Sequence, residues 1–284
     1  MEKIITEDLL GRYGEHLYQE EKSLATIEKY LSDLRKLMVY ADGREITKEL
    51  MIGYKEYLMK ERQYKSSSIN SYLVAANRFF EYMCWYGLSV KTIKVQRTVF
   101  VPEERELTKQ DFKKLVKTAQ ELGRTRLAMI LQTLCGTGMR VSEIQFVTVT
   151  AVKKGQVTVY NKGKERIILI QRSLQTRLLA YIRKNGIQCG KVFCTAKGKA
   201  INRSYIWREM KKLCDRAGVA KTKVFPHNLR ALFAKTYYTM FKDIAKLADL
   251  LGHSSIETTR IYIKTSGSKH RKELEKLGLL DGLE

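Results

Sequence analysis

Hydrophobic residues recur at helical spacing through most of the first 90 residues. In the first segment they include Leu9, Tyr13 and Leu17, and the same period of three to four residues returns three more times. This pattern predicts four helices, at about 6–21, 24–38, 47–62 and 67–86, with Gly87 ending the last in a left-handed conformation. Residues 1–90 are therefore predicted to form a small helical domain.

A change in pattern separates this domain from the rest of the chain. Residues 91–106 combine β-branched residues, Pro102 and mixed charges, and we interpret them as an extended linker. Thr108, with Asp111 three residues on, is a predicted helix N-cap that opens a second domain over 107–284. Helical periodicity there predicts helices at about 109–121, 125–135, 139–144, 173–184, 204–216, 228–240, 241–251, 257–263 and 269–277.

Two strand-like runs interrupt the helices of the second domain. Residues 156–160 and 166–170 are rich in β-branched residues, and Asn161-Lys162-Gly163-Lys164 between them has the composition of a hairpin turn. The predicted fold class is therefore mainly α, with one small antiparallel sheet in the second domain.

The charge of the chain is strongly positive and unevenly distributed. The net charge is +23, with 16 basic against 14 acidic residues in 1–97 and 37 against 16 in 98–284. Such a one-sided field favours a polyanionic partner, nucleic acid first and an anionic membrane surface a distant second.

Several classes of protein are excluded by composition. The chain has no apolar run of 18 residues and does not begin like a signal peptide, so we expect a cytoplasmic protein without a membrane span. Its five cysteines are scattered and never spaced as CxxC, which favours reduced, buried thiols. No cluster of metal-ligating residues is present, and neither a metal nor a cofactor is expected.

Basic residues that suit a phosphate occur in two places. Arg140 follows a Gly-Thr-Gly break at the start of a predicted helix, and Glu143 is spaced to orient its guanidinium. His227 and Arg230 lie three residues apart on a helix entered through Pro226. Together the two arginines predict a two-sided clamp on the non-bridging oxygens of a phosphodiester.

Tyr262 is the candidate nucleophile. It lies nine residues after His253, beyond a short Ser/Thr-rich segment. A tyrosine of ordinary pKa near 10 needs a base or nearby cations to react at neutral pH. His227 and the arginine clamp can supply both.

These blocks resemble the tyrosine recombinases, the family of phage-type integrases and Xer-like recombinases. The resemblance rests on five blocks in order: Gly136-Thr-Gly-Met-Arg140-Val-Ser-Glu143, the hairpin lysine, His227-Asn-Leu-Arg230, Leu251-Gly-His253 and Tyr262. It covers about 107–265 by motif. It implies an N-terminal core-binding, SAM-like domain and a C-terminal catalytic domain of the DNA breaking-rejoining fold.

The resemblance also implies a role for each residue. Tyr262 attacks the scissile phosphate, Arg140 and Arg230 stabilise its charge, His227 acts as general base, and His253 donates a hydrogen bond to the phosphate. Lys162 protonates the leaving 5′-oxygen, but the hairpin tip is one residue shorter than the usual family loop, so Lys164 competes for this role. Ala231 stands where many relatives have His.

The partners implied by the resemblance are double-stranded DNA with two core sites of inverted repeats, and a homotetramer that passes through a Holliday junction. Residues 264–270 suit a tether, and Leu274, Leu277, Leu279 and Leu280 suit an apolar plug. The tail packs either on its own domain or on a neighbouring subunit. Two further functions stay open: a type IB topoisomerase-like enzyme and a non-catalytic DNA-binding regulator. The target sequence and the outcome of recombination are not encoded in any motif.

Overall fold

The chain folds into two compact units, residues 1–97 and 98–284, in a computed structural model. The structure describes residues 2–94, 103–161, 164–195, 198–263 and 275–278. No helix within these ranges is both long and apolar enough to cross a membrane. Within the same ranges, no group of three His, Cys, Asp or Glu side chains is placed to hold a metal ion.

Unit 1 is built from four helices, each begun by a polar residue or a lysine. The hydroxyls of Thr6, Ser23 and Thr47 accept a backbone N–H from the first turn of the helix that follows. This satisfies donors that a helix leaves free at its start. The helices are α1 (Glu7–Gln19), α2 (Leu24–Ala41), α3 (Lys48–Lys60) and α4 (Ser66–Tyr82).

The core of unit 1 combines aromatic and aliphatic side chains. Tyr13, Tyr54, Phe79 and Phe80 are nearly inaccessible to solvent, and they pack with leucines from all four helices. The prediction for the end of α4 was wrong by four residues. The helix ends at Tyr82, and Cys84 already has a positive φ of 53°, ahead of Gly87 at 84°.

The extended segment after α4 is held to unit 1 by side-chain amides. Asn77 exchanges two hydrogen bonds with the backbone of Val90, and Asn70 exchanges two with the backbone of Ile93. The two amides replace the partner strand that an extended backbone requires. The first residues of the predicted linker therefore pack on α4, and residues 95–102 lie outside the described residues.

Unit 2 begins at a short 3-10 helix and is mostly helical. Its first long helix has the predicted capping box, in which Thr108 and Asp111 each accept a backbone N–H of the other. The helices are α5 (Lys109–Glu121), α6 (Thr125–Thr137), α7 (Val149–Lys154), α8 (Arg172–Lys184), α9 (Arg203–Lys211), α10 (Cys214–Ala217), α11 (Pro226–Phe241), α12 (Ile244–Leu251) and α13 (Ile256–Ile263).

Several helix predictions in unit 2 need correction. The segment after Arg140 is a 3-10 helix, Val141–Phe146, and not an α-helix. The single helix predicted at 204–216 is divided into α9 and α10. The helix predicted from Phe241 starts at Ile244, because Lys242 is left-handed and Asp243 caps the new helix. The helix α7 was missed. Of the predicted last helix, only 275–278 are described.

Within the described residues of unit 2, the sheet is one antiparallel hairpin, β1 (Gln156–Asn161) and β2 (Lys164–Leu169). Val157 pairs with Ile168 and Val159 with Arg166, and this face of the hairpin is turned inward. The predicted fold class, mainly helical with a small antiparallel sheet, is confirmed.

Candidate active site

The site in unit 2 is centred on a buried arginine. Arg230, in the second turn of α11, is only 2% exposed. Its Nη1 donates to the Gly138 carbonyl at 2.6 Å, and its Nη2 donates to the Leu251 carbonyl at 2.7 Å. Gly138 is left-handed at the end of α6, which turns its carbonyl toward the guanidinium. These bonds join the ends of α6 and α12 to α11.

The charge of Arg230 is not neutralised by its neighbours. Among the described residues its partners are carbonyls and His253, with the Tyr262 side chain also close, and no carboxylate is among them. Its buried Nε has no hydrogen-bond partner there. Burial, followed by repulsion from Arg140, lowers the pKa of Arg230. A guanidinium keeps its proton even so. The pocket therefore presents a fixed positive charge that an anion can stabilise.

Arg140 is oriented by one buried carboxylate, as predicted from the spacing. Its backbone N–H donates to Glu143 Oε2 at 2.7 Å, and its Nη1 donates to Glu143 Oε1 at 3.1 Å. Glu143 is 2% exposed, whereas the Arg140 side chain is 37% exposed. The guanidinium of Arg140 is thus held by Glu143 through Nη1, while more than a third of the side chain stays accessible to solvent.

His253 follows α12 and contacts Arg230. Its Nε2 lies 2.9 Å from Arg230 Nη2, and its Nδ1 lies 2.8 Å from the hydroxyl of the buried Thr259. Because a guanidinium only donates, Nε2 is the acceptor and Nδ1–H donates to Thr259. Burial, then the charges of Arg230, Arg140 and Arg166, lower the pKa of His253 to about 4. The imidazole is neutral at pH 7.

Tyr262, on α13, lies between the two histidines. Its ring is 5.1 Å from that of His227 and 5.6 Å from that of His253, with the His253 ring tilted by only 7°. The Arg230 guanidinium carbon is 6.0 Å from the centroid of the tyrosine ring. Desolvation and the nearby Arg230 charge lower the pKa of His227, so this imidazole is also free to accept a proton at neutral pH.

The structure brings together six of the eight residues singled out in the sequence: Arg140, Glu143, His227, Arg230, His253 and Tyr262. Lys162 lies outside the described residues, and for Lys164 the structure describes only the backbone, which pairs with Asn161 in the hairpin. The choice between the two lysines therefore stays open.

Two residues of the site escaped the sequence reasoning. Arg166 donates to Glu143 Oε2 at 2.6 Å, and Thr259 binds His253. In the hairpin Arg166 shares the inward face with Ile168 and Ile170, but Ile167 and Leu169 make the outer face apolar too, so the alternation alone did not single it out. A charged residue on an inward face needs a partner. Thr259 gave no signal apart from the two threonines that precede Tyr262.

Taken together, these residues place a phenol beside two imidazoles and three guanidiniums, with one carboxylate among them. The excess of positive charge suits a phosphodiester, and the phenol with its neutral bases suits nucleophilic attack. The fold and site thus define a class of protein, the phosphoryl-transfer enzymes that use a tyrosine nucleophile.

Comparisons with known proteins agree with this class. The phage integrase family matches residues 105–268, and the phage integrase N-terminal SAM-like domain matches residues 10–87. Tyrosine recombinase XerA of Pyrococcus furiosus is 30% identical, over 99% of this chain and 98% of that protein. Tyrosine recombinase XerD of Pseudomonas aeruginosa is 28% identical, over 89% of this chain and 91% of that protein.

Solved structures share the fold. The XerH site-specific recombinase bound to a palindromic difH substrate, a post-cleavage complex, has a TM-score of 0.73 at 20% identity, covering 91% of this chain and 81% of that one. The lambda integrase tetramer bound to a Holliday junction has a TM-score of 0.71 at 17% identity, covering 90% and 76%. At these identities the likeness establishes the fold alone.

The chain therefore belongs to the phage integrase family. It is an enzyme of the tyrosine recombinase type, which confirms the predicted family and class of activity. The relatives do not favour the two alternatives, a type IB topoisomerase and a non-catalytic regulator.

Proposed function

We propose that this chain is a site-specific recombinase that cuts and rejoins double-stranded DNA through a 3′-phosphotyrosyl intermediate and a Holliday junction. The observation that carries the proposal is the position of Tyr262, between His227 and His253 and beside the buried charge of Arg230. In this proposal residues 1–90 bind the core DNA, residues 91–106 link, and residues 107–284 catalyse. The enzyme acts in the cytoplasm on genomic or mobile DNA.

Strand cleavage in this proposal transfers the scissile phosphoryl group from the 5′-oxygen of the DNA to the tyrosine oxygen. Tyr262 Oη attacks the scissile phosphorus while His227 takes the phenol proton, and the bond to the 5′-oxygen breaks. That oxygen leaves as a hydroxyl after protonation by Lys162, with Lys164 as the competing donor. The phosphotyrosine bond keeps the energy of the phosphodiester, so a second 5′-hydroxyl reverses the step without ATP or a metal.

The basic residues hold the phosphate during this transfer. Arg230 and Arg140 stabilise the charge that grows on the non-bridging oxygens, and Glu143 orients Arg140. In this step His253 donates a hydrogen bond to the phosphate from Nε2. The proton must therefore be on Nε2, whereas in the free protein it is on Nδ1 and Nε2 accepts from Arg230. The Thr259 hydroxyl permits this change, because a hydroxyl both donates and accepts.

A nicked duplex tests the nucleophile. A DNA site that the protein binds is first selected by gel shift from random duplexes. This site is then nicked close to the cleavage position, so that the short fragment released by cleavage diffuses away and the covalent complex accumulates. We expect Tyr262→Phe to bind this site as the parent chain does and to trap no DNA, whereas the matched Tyr238→Phe traps normally. Trapping by Tyr262→Phe overturns the assignment. Plasmid relaxation without exchange between two sites would show topoisomerase activity instead.

The proposed assembly is a homotetramer on two core sites, each with inverted repeats. A groove of about 520 Å³ in unit 2 supports an exchange of tails between subunits. Its lining is largely apolar, includes Phe233 and the exposed Met240 and Phe241, and carries Lys109, Lys113 and Arg177. The tail from 273 to 284 has five leucines and four acidic residues against one lysine, in a chain of net charge +23. Both its apolar and its acidic residues complement the groove.

A truncation and a groove variant test this assembly together. Removing the residues after Ser266 and replacing Met240 by Glu are both expected to leave binding to a single half-site intact and to weaken cooperative binding to the full site. Gel-shift stoichiometry measures both. Unchanged cooperativity in the truncated chain contradicts the exchange. If the tail packs on its own subunit, Met240→Glu instead lowers the melting temperature of the free monomer. Truncation then lowers that melting temperature by the same amount.

A further inference from the structure

Arg166 contacts Glu143 within the site and is not part of any predicted motif. It is on the inward face of β2, opposite Val159, and its side chain is 16% exposed. Its Nη2 donates to Glu143 Oε2 at 2.6 Å, and its Nη1 donates to the Leu250 carbonyl at 3.0 Å. The buried Nε has no partner among the described residues.

These two bonds connect three elements that each hold a proposed catalytic group. Glu143 belongs to the 3-10 helix that follows Arg140, and Leu250 belongs to the last turn of α12, just before His253. Arg166 itself belongs to β2, the strand that begins at Lys164, one of the two candidate proton donors. One side chain therefore fixes the distances between the Arg140 anchor, the His253 turn and the hairpin.

The close packing of Arg166 requires a glycine in the His253 turn. Gly252 is left-handed, with φ +64°, and a Cβ at this position would lie 2.3 Å from Arg166 Cδ and 2.9 Å from Nε. The turn and the arginine thus leave no space between them. A side chain at residue 252 cannot be accommodated unless Arg166 moves.

Arg166 also determines how much of the Arg140 charge is available. Glu143 is the one carboxylate in contact with Arg140 among the described residues, and its Oε2 accepts both the Arg140 backbone N–H and Arg166 Nη2. Without Arg166, the buried carboxylate has a single guanidinium to pair with. Glu143 then draws the Arg140 tip inward, away from a bound phosphate, and neutralises it.

We propose that Arg166 is a positioning residue of the recombination site, which acts through Glu143 to hold Arg140 in the geometry that grips the scissile phosphate. This inference rests on the proposed function. Arg166 contacts no substrate in this scheme, so its loss slows the chemical step and leaves DNA binding in place.

The test uses the full chain and the nicked duplex described above. Replacing Arg166 by Met keeps an unbranched chain as far as the position of Nε and removes the guanidinium with its donors and charge. We expect the rate of covalent trapping at saturating protein to fall about 100-fold, the size of effect found for a lost oxyanion donor. The protein concentration at half-saturation is expected to change by less than about threefold, because phosphate contacts elsewhere provide most of the affinity. Gly252→Ala is expected to reproduce the loss in rate.

A double-mutant cycle separates positioning from general damage to the fold. If Arg166 acts through Arg140, then Arg166→Met in an Arg140→Lys background costs less than about fivefold, because the two residues form one unit. Guanidinium ion at millimolar concentration is expected to restore part of the trapping rate to Arg166→Ala, and sodium at the same ionic strength is not. The exposed Arg183 provides the matched control, and Arg183→Met is expected to trap at the parent rate.

The possible failures are distinguishable. If neither the parent chain nor Arg183→Met traps DNA, the proposed function fails. If both trap and the folded Arg166→Met traps at the same rate, the inference on Arg166 is wrong. A full additional 100-fold loss in the Arg140→Lys background, without rescue by guanidinium, also overturns it, because Arg166 then acts independently of Arg140.

Discussion

Both units bury charged residues, but they treat the charge in opposite ways. In unit 1, Asp33 is 3% exposed, and its carboxylate accepts from Lys29 and from the Ser71 hydroxyl. One negative charge there meets one positive charge. In unit 2, Arg230 is 2% exposed and contacts carbonyls, His253 and Tyr262, while the carboxylate of Glu143 serves both Arg140 and Arg166. Among the described residues of this site, three positive charges meet one negative charge.

The difference separates a charge that supports the fold from one that awaits a ligand. A buried pair with its hydrogen bonds complete has no further use for an ion. An excess of positive charge around the buried Arg230 is unfavourable in the free protein, and a phosphate that enters the site removes that penalty. Burial lowers the pKa of His253 most, and the same excess lowers it further, because each of the three guanidiniums opposes a fourth positive charge.

The largest expected effect comes from replacing the planar guanidinium of Arg230 by another group of the same charge. Arg230→Lys keeps one positive charge, but one ammonium cannot bind the Gly138 and Leu251 carbonyls and also present a planar fork to a phosphate. We expect the trapping rate on the nicked duplex to fall about 1000-fold. Arg183→Lys is the matched control. A loss of less than about tenfold would mean that charge alone suffices at this position.

The next effect concerns the ion pair of Asp33 and Lys29 in unit 1, whose charges balance. Asp33→Ala leaves Ser71 and Lys29 without their acceptor, and the loss of such a bond costs about 2 kcal/mol of unfolding free energy. Trapping by the folded variant should stay at the parent rate. Urea unfolding and the nicked-duplex assay measure the two quantities. The exposed Glu7, paired with Arg35, offers a control, and Glu7→Ala is expected to shift the melting temperature by less than about one degree. A slower trapping rate in Asp33→Ala would assign the pair a catalytic role.

Much of the fold could be predicted from the sequence, because the patterns that determine helices depend on residues close together in the chain. Helical periodicity and capping residues such as Thr108 depend on neighbours in the chain, so they predicted most helices to within a few residues. The blocks around Arg140, Arg230 and Tyr262 were predicted by their family resemblance. Their order along the chain indicated one site, although no local pattern gives distances between them.

The contributions that escaped prediction depend on contacts distant in sequence. Strand β2 has apolar residues on both faces, and Ile167 and Leu169 are 53% and 64% exposed, so periodicity does not show that Arg166 points inward. Its partner Glu143 precedes it by 23 residues, and Leu250 follows it by 84. The end of α4 was missed for a different reason, since Cys84 adopts a left-handed conformation that its residue type does not favour.

The smallest expected effect is a titration that reports directly on the excess charge. The folded-state pKa of His253 is about 4, below the unfolded value near 6.5. The unfolded chain therefore binds the proton first, so this contribution to stability is complete above pH 6.5 and is lost as the pH falls toward 4. Allowing for solvent screening, the loss at pH 5 is about 1 kcal/mol. His253→Gln is expected to remove that part of the pH dependence in urea unfolding.

The same titration distinguishes excess charge from simple burial. NMR of the histidine ring protons, assigned with His253→Gln, gives the pKa of His253 in chloride and in inorganic phosphate at equal ionic strength. If the guanidiniums hold the pKa down, a phosphate bound among them raises it, because the anion offsets their field. If desolvation alone holds it down, phosphate leaves it unchanged or lowers it by excluding water. A pKa near 6.5 in chloride contradicts both explanations, and the site then lacks the uncompensated charge that distinguishes it from Asp33 and its partners.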